Sequence, residues 1–253
     1  EEVIVPLRRS IITAFKLEKA NLNEVRGFSF KGPPIMILSP LWMMSWGIHE
    51  ILEGIIFLRH PDIGAVGKPR EIRGSMYLSE RAENLGEVLL TLQAKSGSLP
   101  DPIVYALKKG FPGLTVRLEI GLGRVALVAE EMGVRLNPPN MPDGLIKLLA
   151  IATAASLEPS VLLIDELENS MHAELLELAI DMLNRLETPV LIATHSPLVV
   201  DMVEPERVIV LSKEPGGPTR VERLSEKRDL LRRLEELGVS LGDAVFHSVT
   251  RRD

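Results

Sequence analysis

The sequence predicts an α/β fold, and three observations carry the prediction. Residues 160–165, 189–193 and 208–211 are short apolar runs of strand length. Between the first two, residues 173–186 place Leu175, Leu176, Leu178, Ala179, Met182, Leu183 and Leu186 at helical spacing, and a shorter helical segment at 197–202 leads into the third run. Strand, helix, strand, helix, strand is the order that right-handed crossovers build, so a mostly parallel sheet flanked by helices is expected.

Taken in order, the first 140 residues are irregular, because Pro33, Pro34, Pro40, Pro61, Gly64, Pro69, Gly97, Pro100 and Pro102 interrupt the apolar runs. Residues 35–38 read as a short buried strand and 85–93 as a helix. Asp101 and Pro102 open a second helix that Gly110 closes. Residues 114–120 alternate, which predicts a strand with Leu114, Val116, Leu118 and Ile120 on one face. The text Gly121-Leu122-Gly123-Arg124 then predicts a hairpin turn into a strand at 125–128. From 141 onward the pattern is regular. Residues 145–157, rich in Ala and Leu, predict a buried helix started by Asp143 or Gly144, and the apolar strand at 160–165 has the character of one buried on both faces. Residues 225–237 predict a charged amphipathic helix with Leu230, Leu231, Leu234 and Leu237 on one side. The expected organisation is an irregular, β-rich lobe over 1–140 and an α/β lobe over 141–253, or the two as one compact domain.

Composition limits the function classes. The 253 residues are 45% hydrophobic and 25% charged, the balance of a folded globular chain rather than a disordered one. The net charge of −6 argues against a protein coated in positive potential. With no cysteine, disulfides and thiolate chemistry are excluded. The longest apolar stretches, 35–48 and 145–157, fall short of a bilayer span, and the first six residues lack the form of a signal peptide. A cytoplasmic protein with no membrane partner is the expectation.

Candidate chemistry sits at two strand ends. The run at 161–164 leads into Asp165 and Glu166, which places two carboxylates at the carboxyl end of a central strand, where open α/β sheets bind ligands and where an acid can hold a divalent ion. The run at 190–193 leads into Thr194, His195 and Ser196. Two strands that deliver these groups at one edge would make them converge.

These residues carry a resemblance. The text 161–172 followed by Ala193-Thr194-His195-Ser196-Pro197 resembles the ABC-type ATPases of the RecF, SMC and OLD group, close to its AAA-like ATPases. Met141-Pro142-Asp143-Gly144-Leu145 is similar to the short signature motif of that group, and 81–89 is similar to another of its recurring segments. The resemblance spans roughly residues 85–211 and implies a P-loop NTPase-like, ABC-type layer. It implies that Asp165 steadies Mg²⁺, that Glu166 polarises the attacking water and that His195 touches the γ-phosphate of ATP. It further implies that Asp143 and Gly144 present helix N-terminal amides to nucleotide on a second ATPase head, in a homodimer formed on ATP binding. Glu168, Asn169 and His172 would lie near the seam between heads. DNA is the partner class that the group suggests by analogy alone.

The sequence departs from the group at two places. The phosphate-cradling loop G-x-x-x-x-G-K-[ST] is missing; the nearest text, 64–69, has the wrong spacing and Pro69 where a hydroxyl should stand, and reads as a plain loop. The sequence thus resembles the C-terminal part of such an ATPase, and this chain alone is expected to hydrolyse ATP poorly if at all. Pro142 also stands where the group usually has Ser. Two other readings are an ATPase-like interaction module that hydrolyses nothing, and a metal-dependent nuclease using Asp165, Glu166, Glu168 and His172. Elsewhere, His49 and His60 are expected to pack or face solvent, and His247 to be inert. Trp42 and Trp46 are expected to pack on one helix face, and Arg228, Arg232 and Arg233 to belong to a solvated, salt-bridged face.

Overall fold

The structure, a computed structural model, describes residues 3–6, 51–213, 217–226 and 238–250, with the side chains of 3–6 and 247–250 left undescribed. The strand expected at 35–38, the helix face of Trp42 and Trp46, His49, and the helix body at 227–237 with Arg228, Arg232 and Arg233 lie outside the described residues. So does the side chain of His247.

Two sheets organise the chain. The larger has six strands: β1 (Val3–Pro6), β2 (Ile55–Leu58), β7 (Val161–Asp165), β8 (Val190–Thr194), β9 (Ile209–Lys213) and β10 (Thr219–Arg223). Their order across the sheet is β10-β9-β1-β8-β7-β2. β7 pairs in parallel with β2 on one side and with β8 on the other, while β1 lies antiparallel between β8 and β9. Four strands therefore run one way, and β1 and β10 run against them. The parallel layer expected from the sequence is present, and three strands that the sequence did not point to, β1, β2 and β10, complete the sheet. Strands from both sides of residue 140 share this sheet.

The run 161–165 is continuous in sequence but not in burial. Leu162 and Ile164 are fully covered, whereas Val161, Leu163 and Asp165 are half-buried; in β8, Val190, Ile192 and Thr194 are buried and Leu191 and Ala193 are half-buried. One face thus belongs to the main core and the other is only partly covered among the described residues, a correction to the two-sided burial expected from an unbroken apolar run. The covered face shares its core with α4 (Asp143–Ser156) and α5 (Ala173–Asn184). Every residue of α4 from Gly144 to Ala155 is buried, which explains its Ala and Leu content: small side chains let a central helix meet neighbours on all sides.

The smaller sheet is antiparallel: β3 (Arg70–Glu71), β4 (Leu114–Gly121), β5 (Arg124–Glu131) and β6 (Val134–Leu136), with β5 central and β4 at an edge. Helix α2 (Leu85–Ser96) packs against β5, and α3 (Asp101–Gly110) packs against α4 and α5. Gly97 in the left-handed conformation stops α2. Buried Glu87 of α2 accepts the backbone N–H groups of Arg73 at 3.0 Å and Ser75 at 3.3 Å, which ties the extended stretch after β3 to the helix. Of the face expected on β4, Leu114 is buried and Val116 and Leu118 are half-buried, but Ile120 is 62% exposed, because the strand runs on beyond the helices that cover its start. Helix α1 (Ile63–Val66), begun by the Asp62 carboxylate, and helices α6 (Pro197–Asp201) and α7 (Leu241–Thr250) are further described helices, with short 3-10 turns between.

Candidate active site

Asp165 is the last residue of β7, and its Cα faces Ala193 of β8 in the parallel register. At Glu166 the chain leaves the sheet with φ of 49°, a left-handed conformation that a residue with a Cβ adopts at a cost of about 1–2 kcal/mol. Its backbone and its side chain are both held there. The Glu166 N–H donates to the Ala193 carbonyl at 2.9 Å, and the Asn169 side-chain amide donates to the Glu166 carboxylate. The loop then closes on itself, with the Met171 N–H donating to the Glu168 carbonyl at 3.0 Å.

The end of β8 is held by the same loop. The buried Thr194 hydroxyl donates to one oxygen of the Glu168 carboxylate at 2.7 Å, and the His195 N–H donates to the other at 2.8 Å. The Thr194 oxygen in turn accepts the Ser196 N–H at 3.0 Å. Glu168 is thus a strut between two strand ends. Its carboxylate is turned toward the end of β8, where a buried hydroxyl and a strand-end amide both need an acceptor. His195, released beyond this strut, is exposed.

Helix α4 supplies the third side. Lys147 is 1% exposed, and its Nζ lies 3.4 Å from the Asp165 carbonyl and 3.3 Å from the Glu166 carbonyl. Burial pushes its pKa down to about 8, against the pull of Glu168, Asp165 and Glu166, which favour the charged form. At the start of the same helix, Asp143 is exposed and Gly144 is buried. A Cβ at Gly144 would stand 2.8 Å from the Ser170 carbonyl oxygen and 3.0 Å from Leu175 Cδ1. The glycine is therefore required by this chain's own packing of α4 onto the loop after β7. A substitution such as Gly144→Arg tests that packing before it tests any contact with a partner.

The structure brings Asp165, Glu166 and the backbone of His195 to one end of the sheet, and sets Asp143 and Gly144 beside the loop that follows. Lys147 and the inward role of Glu168 were missed in the sequence. A signal for Lys147 existed: it is the lone cation in the Ala and Leu run from 145 to 157. His60, two residues past β2, lies at the same end of the sheet, with its Nδ1 buried and without a hydrogen-bond partner among the described residues. The cluster that the alternative nuclease reading would need does not form: Glu168 is committed to Thr194 and His195, His172 is exposed, and no three metal-ligating groups gather among the described residues.

The parallel strands of the larger sheet thus end in an acid pair and a histidine. Residues 67–201, just over half the chain, match the family model described as "AAA domain, putative AbiEii toxin, Type IV TA system", and the chain belongs to this family of AAA ATPase domains. The expected kinship with AAA-like ATPases is borne out. Among solved structures the chain is similar to the Smc head domain with a coiled coil and joint derived from Pyrococcus yayanosii, at 17% identity and a TM-score of 0.38; the match covers 58% of this chain and 30% of that one. No curated protein matches the chain. No described helix is long and apolar enough to cross a membrane.

Proposed function

We propose that the chain carries the hydrolytic side of a Mg²⁺-dependent ATPase head. The observation that supports this best is the joining of two strand ends: Glu166 bonded to Ala193, and Glu168 bonded to Thr194 and His195. In this reading Asp165 holds the metal ion, and Glu166, oriented by Asn169, accepts the proton of the attacking water. His195 meets the γ-phosphate. Lys147 fixes the Asp165–Glu166 backbone from beneath. Asp165 fits Mg²⁺, since that ion is commonly held by one or two carboxylates together with substrate phosphates and water rather than by a protein cage. When bound, the ion offsets charge that develops on the phosphate oxygens.

The phosphate cradle does not fit residues 64–69. They fold as the end of α1, the Gly67 cap and the exposed Lys68 and Pro69, with no strand delivering a loop into a helix N-terminus. This chain alone is therefore expected to bind Mg·ATP weakly or not at all, because backbone amides and a lysine make most phosphate contacts in such sites. The exposed start of α4 at Asp143 is placed to face nucleotide on a second head.

The test is ATP hydrolysis by the full-length gene product, wild type against Glu166→Gln. The amide keeps the size of the side chain and loses the base, so the rate falls by about 10²-fold or more while a Mg·ATP-dependent dimer persists. Hydrolysis at the wild-type rate in the variant overturns the role of Glu166, and an absence of hydrolysis in both favours the interaction module.

A further inference from the structure

Strand β4 has two unlike sides. Toward β5 it is paired along its whole length, from Leu114 facing Glu131 to Gly121 facing Arg124. On its other side no described strand pairs with it. The hairpin closes through Leu122 and Gly123, both at positive φ (50° and 71°), which is a two-residue turn of type I′. Such a turn closes on a hydrogen-bonded pair, here Gly121 with Arg124. Backbone groups alternate in direction along a strand, so Gly121, Glu119, Arg117 and Thr115 bond to β5, whereas the amides and carbonyls of Val116, Leu118 and Ile120 point to the open edge. Beside this edge runs a groove of about 520 Å³, lined by Leu89, Leu90 and Gln93 of α2, Leu99, Ile103 of α3, and β4 itself. An open edge eight residues long next to an apolar groove is a template for another strand.

We propose that β4 pairs antiparallel with β4 of a second copy of this chain, with the two-fold axis at Leu118. Charge selects that register. An axis at Arg117 would set arginine against arginine, and one at Glu119 would set glutamate against glutamate, both unfavourable across a strand pair. With the axis at Leu118, Arg117 of each copy faces Glu119 of the other. Arg117 already pairs with Glu130 at 2.9 Å, and Arg135 with Glu119 at 2.7 Å. The joined sheets thus carry a row of alternating sign, Glu130, Arg117, Glu119, Arg135, twice over. On the opposite face Leu118 meets Leu118, and Val116 meets Ile120, whose 62% exposure is removed. These surface charges fix the register more than they add affinity. The apolar side chains that enter the groove supply the binding, together with the paired backbone. This dimer needs no nucleotide and uses a face separate from the acid pair, so its fate is independent of the ATPase reading.

The test is sedimentation equilibrium of the full chain without nucleotide from about 5 to 300 µM, a range suited to a small interface. The wild type shows a reversible monomer–dimer equilibrium. Ile120→Lys, at an exposed position where the fold tolerates it, raises the dissociation constant by about tenfold or more, because it sets an ammonium against Val116 twice. The absence of cysteine from the chain permits a second reading of the register. Leu118→Cys cross-links to itself under mild oxidation with oxidised glutathione, since directly paired Cα atoms lie about 5.5 Å apart. Thr115→Cys does not, since its two copies stand about 20 Å apart along the strands. A wild type that stays monomeric at the highest concentration, a dimer indifferent to Ile120→Lys, or equal cross-linking of the two cysteine variants overturns the proposal.

Discussion

In the six-stranded sheet the central strands β7 and β8 carry apolar side chains along their length and deliver polar ones at a single end, Asp165 and Glu166 from one and Thr194 and His195 from the other. The four-stranded sheet does the reverse. Its charges lie along the strands, in pairs such as Arg117 with Glu130 and Arg135 with Glu119, and its ends are turns. The difference lies in solvent. At the end of β7 and β8 Thr194 and Lys147 are buried and must be satisfied by neighbours: the Thr194 hydroxyl by Glu168, which also takes the His195 N–H, and the Lys147 ammonium by the carbonyls of Asp165 and Glu166. Such a network is rigid and costly to break. Along β4 and β5 water competes for every charge, and the pairs contribute little to stability. The first region fixes its polar groups in place, while the second presents a surface and an edge.

Four substitutions sharpen this contrast. The largest effect is expected from Glu168→Leu, which leaves a buried hydroxyl and a strand-end amide without an acceptor; denaturant unfolding should show a loss of about 3 kcal/mol. A loss no larger than that of a surface carboxylate would break the comparison at its root.

Lys147→Met comes next and reads through pH. The lysine titrates near pH 8 in the folded chain and at 10.5 ordinarily. Between those values the unfolded chain holds the extra proton, so raising the pH favours the folded state. Below about 8 both states are protonated and the cost of burying the charge is present in full. Measured in EDTA, the stability of the wild type relative to Lys147→Met should therefore rise by on the order of 2 kcal/mol between pH 8 and 10.5. A difference that stays flat over that range contradicts a buried ammonium.

A smaller loss, about 1–2 kcal/mol, is expected for Gly144→Ala, since the new methyl group meets the Ser170 carbonyl oxygen at 2.8 Å and the helix must shift. Thermal unfolding without nucleotide is the measurement, and an unchanged midpoint would return Gly144 to a role in partner contacts alone. The smallest effect belongs to the other sheet: Arg117→Ala should cost the monomer no more than about 1 kcal/mol, and less as salt is raised. A loss equal to that of Glu168→Leu would erase the distinction between the two regions.

The sequence made much of the six-stranded sheet legible, because the runs at 160–165 and 189–193 and the helix at 173–186 are long enough and regular enough to declare their period. The acid pair and His195 were legible for the same reason, as polar residues ending apolar runs. Three strands were not, Thr219–Arg223 at the sheet's edge among them. Val3–Pro6 is four residues ending in proline, and Ile55–Leu58 is four residues among interruptions, so neither gives a periodic signal; each becomes a strand because neighbouring strands offer it an edge. The inward turn of Glu168 was hidden as well, since an acid in a loop looks the same in sequence whether it faces water or a buried hydroxyl. The exposure of Ile120 depends on where the covering helices stop, which no local pattern records.

The proposed role of Asp165 in holding a metal ion where β7 and β8 end is tested most directly by paramagnetic broadening. Mn²⁺ is titrated in substoichiometric amounts into isotope-labelled chain, wild type and Asp165→Asn, and the backbone amides are followed. The signals of Glu166, Glu168, Thr194 and His195 should broaden first in the wild type, those of Leu118 and Val128 in the other sheet should stay sharp, and Asp165→Asn should abolish the difference. Equal broadening in both proteins, or broadening that spares His195, would contradict it.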